Sequence, residues 1–401
     1  MNRNSLFTSI AFCTAAIAGM FTLIRLHAAE KPDYKAIAER IVVQSANVKE
    51  GDRVVVQGDI RDIELIEEVA LAVWKRGAEP IQIVGREKAA RRYFDEVPKK
   101  YDTMPLALSL KLVEAQTVAI DISGQEFPAL LRDVAPERIT ASSKRIQDVA
   151  NARIKQGVRS VSLGNGLYPT EATAKQYGLT KNQLAELYWA GVNVDYNKLQ
   201  ATGEAVRSVL AAGKEVRVTH PNGTELKLRI EGRPVFVSDG VISAEDLAKG
   251  GPATQVWLPA GEVYLVPVPG TAEGKIVFDT IPFDAGVIVG ATFTVKAGKL
   301  TAHSAKPGPG YDRWKALYEA APEGKNDFAI LDLGINSNVK VPPGSKLTTW
   351  VPAGTVSIGF GDNTWAGGLN DLGWGASGSL NGCTVAVDGK IVVEKGVLKI
   401  Q

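Results

Sequence analysis

The chain has 401 residues, of which 45% are hydrophobic and 22% charged, enough for a sizeable core in two domains or one large one. Its formal charge of +2 is spread without long blocks of like charge. That balance lacks the electrostatics a phosphate backbone rewards, so nucleic acid is not an expected partner.

The chain opens with MNRNSLFTSIAFCTAAIAGMFTLIRLHAAEKPD, basic at first, apolar from Ser5 to Ile24, and small at Ala28 and Ala29. This layout predicts a signal peptide over residues 1–29, cleaved after Ala29, and an exported protein, periplasmic or extracellular. A membrane is an expected partner only if the segment stays uncleaved, since the apolar run is about long enough to span a bilayer. Cys13 lies inside that run without a lipid-attachment lead-in. Cys383 is then the single mature cysteine, and no intrachain disulfide is expected.

Residues 30–213 alternate between strand and helix periods. DIELIEEVALAVWKRG sets Ile63, Ile66, Val69, Ala70, Val73 and Trp74 on one helical stripe and stops at Gly77. RVVVQ (Arg53 to Gln57) and PIQIV (Pro80 to Val84) flank it, predicting a βαβ unit with a right-handed crossover. TVAIDI and VRSVSL read as further parallel strands, with PERITASSKRIQDVANARIKQG helical between them. SLGNGLYPT (Ser162 to Thr170) is no phosphate loop and reads as a turn before a helix. The class is α/β: an N-terminal open α/β domain with a mainly parallel sheet.

A C-terminal, mainly antiparallel β domain is predicted over residues 214–401. EVRVTHPNGTELKLRI reads as a hairpin with Asn222-Gly223 at a tight turn. VWLPAGEVYLVPV, KIVFDTI, GVIVGATFTVKAGKLTAH, KLTTWV, TVSIGFG and TVAVDGKIVVEKG read as strands, and YDRWKALYEAA as a helix. In TVSIGFG, Val356, Ile358 and Phe360 make a core face, while Thr355, Ser357, Gly359 and Gly361 leave the other face almost without bulk. Such a face implies close approach of a backbone, ligand or metal centre.

His220 and His303 stand outside any metal-ligand spacing and are expected in exposed loops. GWGASGSLNG (Gly373 to Gly382) lacks the order and setting of a serine elbow, and a Ser377 nucleophile has no visible base. Carboxylates carry more information. Glu262 begins a strand in LPAGEVYLVP, and Asp332 interrupts the apolar FAILDLGINSN, where a buried acid must be paired, hydrogen-bonded or metal-bound.

LPAGEV, LDLGINSNV, GTVSIGFGDN with its following GG, and VAVDGKIVVEKG occur in an order and spacing that resemble the thermophilic aminopeptidase family, the aminopeptidase T type of dinuclear metallopeptidase. The resemblance begins at NVKEGDRVVVQ and covers nearly the whole mature chain. It implies a two-domain homodimeric exopeptidase that removes N-terminal amino acids from peptides with two divalent ions such as Zn or Co. On it, Glu262 matches the family's glutamate ligand and Asp332 stands where a second glutamate is usual. The family's histidine in G-T-V-H-I-A-L-G corresponds to Ser357, its later H-x-D pair to Gly375 and Ser377, and its tyrosine falls near Thr364.

Two carboxylates are too few donors for two ions. At most one hard ion, Mg, Mn or Ca, is expected, with Asp362, Asn363 or Asp371 as supplementary oxygen ligands. The sequence therefore predicts an exported family member with lost or strongly altered dinuclear catalysis and a retained cleft for a peptide or small-molecule ligand. The alternatives are an active aminopeptidase with an oxygen-rich replacement site, and an unrelated enzyme on the same scaffold, a serine mechanism included.

Overall fold

In the computed structural model, which describes residues 32–284 and 286–400, apolar strands and amphipathic helices alternate first. The expected signal peptide, residues 1–29, lies outside the described residues together with Cys13. Strands β1 (Arg53–Asp59), β2 (Glu79–Gly85), β3 (Val118–Ile122) and β4 (Arg159–Leu163) run parallel in one sheet. The helix Ile63–Lys75 joins β1 to β2 and buries Leu65, Ile66, Val69, Ala70, Ala72 and Val73. Its buried stripe is turned toward Leu65 and Ala72, so Trp74 is 56% exposed instead of buried. The helix Pro136–Gln156 separates β3 from β4. It starts on a proline, whose missing N–H is not needed there, and stops at Gly157, which takes the left-handed φ of 70° that a side chain resists.

Antiparallel pairing then takes over. Strands β5 (Glu215–His220) and β6 (Thr224–Arg229) form the expected hairpin with a different turn. Three residues connect them, and of these Gly223 alone has a positive φ. Asn222 contributes its side chain, whose Oδ1 accepts from the Thr224 amide at 3.1 Å. The remaining strands are β7 (Phe236–Ser238), β8 (Gln255–Leu258), β9 (Glu262–Leu265), β10 (Glu273–Phe283), β11 (Gly286–Lys296), β12 (Lys299–Ser304), β13 (Phe328–Gly334), β14 (Val356–Gly361), β15 (Gly375–Leu380), β16 (Thr384–Val387), β17 (Lys390–Glu394) and β18 (Val397–Leu398).

KLTTWV forms no strand. Its backbone bonds go to three different segments: Lys346 N–H to the Tyr177 carbonyl, Leu347 carbonyl to the Asn381 amide side chain, Val351 carbonyl to the Asn336 N–H. GASGSL, which shows no strand pattern, is β15.

An eight-stranded sheet has the order β12-β11-β10-β6-β5-β16-β17-β18, and a five-stranded sheet the order β15-β14-β13-β9-β7. β8 pairs in parallel with β4, so the first sheet reads β2-β1-β3-β4-β8. The chain thus leaves the parallel sheet, starts the five-stranded antiparallel sheet with β7, returns to the parallel sheet with β8, and after three connecting residues rejoins the antiparallel sheet with β9. One continuous apolar core links the layers. No helix among the described residues is long and apolar enough to cross a membrane.

Candidate functional site

One row of residues crosses the five-stranded antiparallel sheet. Register places Phe236 of β7, Tyr264 of β9, Asp332 of β13, Ser357 of β14 and Ser379 of β15 side by side. Side chains alternate faces, so these five share one face, and Val263, Leu331, Leu333, Val356 and Ile358 pack the other. Glu262 pairs with Gly334, diagonal to Asp332 on the same face.

The two acids are 4% and 7% exposed. Burial pushes the Glu262 carboxyl up to about 8 against the pull of hydrogen bonds from Asn165 and Trp350. Asp332 is held well above the usual carboxylate range, by burial first and by the neighbouring Glu262 second. Among the described residues no lysine, arginine or histidine acts on either group. Both carboxyls therefore favour the protonated form more than exposed acids do, because an uncompensated buried charge is costly. Asp332 Oδ1 is buried without a hydrogen-bond partner among the described residues.

Neighbouring polar groups are already engaged. Ser357 and Ser379 hydroxyls bond to each other at 2.8 Å. The Asn165 amide donates to Glu262 Oε1 and to the Pro259 carbonyl, and its Oδ1 accepts from the Trp350 indole at 2.7 Å. Asn165 can do this because the SLGNGLYPT turn holds it at φ 43°, a conformation asparagine tolerates better than most residues.

The bare face of TVSIGFG is filled by the protein itself. A Cβ on Gly359 would come within 2.9 Å of Ile330 Cγ2, and one on Gly361 within 2.5 Å of the Trp374 carbonyl oxygen. Beside Asp332, a small apolar cluster of Tyr264, Val266, Ala329, Ile330 and Ala366 is capped by Phe236, Trp257 and Trp365. Tyr264 stacks on Phe236 with centroids 5.7 Å apart and leans on Trp365 at 5.4 Å.

The other predicted positions lie outside that row. Asp362 closes its own loop, accepting from the Leu372 and Gly373 amides. Asn363 Oδ1 accepts from Asn370 N at 2.9 Å, and Asp371 pairs with Lys144 at 3.2 Å. Thr364 bonds to Asn151 and Gln147. Gly375 and Ser377 sit exposed on β15, a strand and not a strand-to-helix elbow, opposite Gly361 and Gly359. His303 is half-buried, not loop-exposed: it lies on β12 among Tyr311, Trp314 and Tyr318, with Nδ1 2.9 Å from the Tyr311 hydroxyl. His220 ends β5 and accepts from Asn222 N at 3.1 Å.

Among the described residues no three His, Cys, Asp or Glu side chains gather into a group able to hold a metal ion. Two divalent ions held about 3.5–4 Å apart need more free donors than two carboxylates, a self-bonded serine pair and a committed amide. The residues present do not fit a dinuclear centre. Asn165, Trp350 and Ser379 are the site residues that sequence patterns missed, because their roles come from contacts across long stretches of chain.

A cleft of about 690 Å³ lies alongside, between loops that end the parallel sheet, such as those carrying Gly124, Gly166 and Tyr168, and the edge of β15. Trp350 lines it and screens Glu262, to which Asn165 ties its indole.

The family model for thermophilic metalloproteases (M29) matches residues 30–317. That match includes Glu262 and ends before β13, β14 and β15, which carry Asp332, Ser357 and Ser379. No curated protein matches the chain. Among solved structures, wild-type AmpT from Thermus thermophilus is similar at 16% identity and a TM-score of 0.70, covering 92% of this chain and 99% of its own. The 2,5-dihydroxypyridine dioxygenase from Pseudomonas putida KT2440 is similar at 13% identity and a TM-score of 0.59, covering 91% of this chain and 96% of its own. At such identities the likeness shows a common fold, and a fold hosts more than one chemistry.

Proposed function

The chain belongs to the thermophilic metalloprotease (M29) family, and from that premise we propose that it is an exported peptide-binding homologue whose two-ion hydrolytic centre has given way to an uncharged carboxyl pair. The observation that carries this reading is the burial of Glu262 and Asp332 together, with no third His, Cys, Asp or Glu side chain grouped with them among the described residues. Supporting it, hydroxyls occupy the Ser357 and Ser379 positions and aromatic rings close the acid face. The adjoining cleft remains available for a peptide.

The test is metal analysis of protein purified without chelator, with turnover of amino-acid anilides measured under Co²⁺, Zn²⁺, Mn²⁺ and Mg²⁺ added singly. The expected result is no tightly held pair of ions and no metal-dependent turnover. Two tight divalent ions per chain, or turnover lost in both Glu262→Gln and Asp332→Asn, overturns it.

A second reading is favoured by one observation, the unpartnered Asp332 Oδ1. Glu262 and Asp332 could hold a single hard ion, Mg²⁺, Mn²⁺ or Ca²⁺, which when bound would polarise a carbonyl or activate water in an aminopeptidase reaction. That reading requires one of these ions to raise the melting temperature of the protein and not of Asp332→Asn. Export and a homodimer complete the proposal. N-terminal sequencing of the secreted protein tests cleavage after Ala29, and light scattering tests the dimer.

A further inference from the structure

We propose that the outer edge of β15 docks an extended, uncharged peptide segment by strand addition, a reading that rests on the peptide-binding function above. β15 ends its sheet, with β14 on one side and no strand of the described residues on the other. Two sets of backbone bonds fix which groups point outward. Gly334 N–H donates to the Thr355 carbonyl and Gly361 N–H to the Asp327 carbonyl, both at 2.9 Å, so Thr355 and Gly361 turn toward β13. Asp362 N–H donates to the Trp374 carbonyl at 2.8 Å, toward β15. Alternation along an antiparallel ladder then directs Val356, Ile358 and Phe360 to β15, where Ala376, Gly378 and Leu380 meet them. The backbone groups of Gly375, Ser377 and Ser379 face away from β14, and no described residue bonds to them.

Those three residues lie in the wall of the cleft. Their outward donors and acceptors repeat every second residue, about 6.8 Å, the repeat of another extended backbone. GASGSL carries no lysine, proline or bulge to guard the edge. A bare edge ordinarily invites pairing with any sheet. Recessed in a cleft, it admits one segment and not a second sheet.

Aromatic side chains flank the edge on both faces. Phe293, packed on Phe360 at 5.9 Å and on Trp314 at 5.6 Å, lies on the apolar face. Trp350, tied through Asn165 to Glu262, lies on the acid face. A segment added to β15 turns alternate side chains toward these walls, which favours apolar or aromatic residues. The described wall holds no lysine, arginine or histidine, and its carboxylate, Asp284, is bonded to Arg313 at 3.3 Å, so nothing there rewards a charged ligand.

The probe is the pentapeptide Ala-Phe-Ala-Phe-Ala, acetylated and amidated, titrated calorimetrically against the whole protein. Methylating backbone nitrogens in one alternating register should weaken binding about tenfold, and in the other register leave it within about threefold, since hydrogen bonds are lost in one case alone. Ser377→Pro, which removes an outward N–H and spares the β14 ladder, should weaken binding about tenfold at unchanged melting temperature, whereas Ser377→Ala should bind as the parent. Equal effects of the two methylation registers, or full binding by folded Ser377→Pro, overturn strand addition. If Ser377→Pro does not fold, the methylation comparison decides. Binding of the free-ended peptide but not the blocked one overturns strand addition and leaves the peptide-binding function standing. Binding of neither overturns both.

Discussion

Ser357 and Ser379 face each other across β14 and β15 with hydroxyl oxygens 2.8 Å apart, next in the row to Asp332. Both are buried, so each satisfies the other. Ser357→Ala or Ser379→Ala alone leaves a buried hydroxyl unpaired and should cost about 1–3 kcal/mol. The double substitution should cost less than the sum of the singles, because it removes both needs at once. Urea denaturation of the four proteins closes this cycle, and strict additivity would refute the pairing.

The Glu262 carboxyl gives a pH signature. Burial raises it from an ordinary 4.5 to about 8, so the folded chain keeps a proton that the unfolded chain releases. Stability from this group is complete below about 4.5 and is lost as pH rises through about 8. Glu262→Gln is neutral throughout and should flatten that decline. Unfolding midpoints for parent and variant between pH 5 and 8.5 should therefore diverge with rising pH, in favour of the variant; parallel curves count against a buried protonated acid.

The glycine face of β14 is occupied. Gly359→Ala would press its Cβ to 2.9 Å from Ile330 Cγ2, with the Ala376 carbonyl oxygen and Ser377 Cβ each at 3.4 Å. Overpacking of this kind costs about 1–3 kcal/mol. A melting temperature equal to that of the parent would mean that the face is open.

Cys383 is buried, and burial pushes its thiol up to about 12. The thiolate is the reactive form, so the native protein should resist a thiol reagent at pH 8. In guanidinium, a chain beginning after Ala29 should release one equivalent; prompt native labelling contradicts the packing.

Much of the fold was legible because periodicity reports burial. The helix Pro136–Gln156 with its glycine stop, strands β1 to β4 of the parallel sheet, and the core face of β14 follow from pattern alone, whereas β8, read as part of the antiparallel domain, joins the parallel sheet. β15 was not legible, since GASGSL has neither alternation nor bulk, and its pairing is dictated by β14. KLTTWV erred the other way: strand-like side chains sit on a backbone shared among three neighbours. At the site, the two acids stood out against apolar surroundings. Their companions did not, because register between β14 and β15 sets Ser379 beside Ser357, and Asn165 reaches Glu262 across 97 positions of chain. The supplementary oxygens at Asp362, Asn363 and Asp371 are polar loop residues whose sequence proximity to β14 says nothing about where their carboxylates and amides are spent.

Because β8 rejoins the parallel sheet after the chain has already built its first antiparallel hairpin, the two halves are sewn together and not merely tethered. A fragment truncated at Gly213 would expose the flank of β4 that β8 covers. Recombining an N-terminal half from one relative with a C-terminal half from another must therefore preserve the β4–β8 seam, which makes the seam, and not the linker, the unit on which such chimaeras stand.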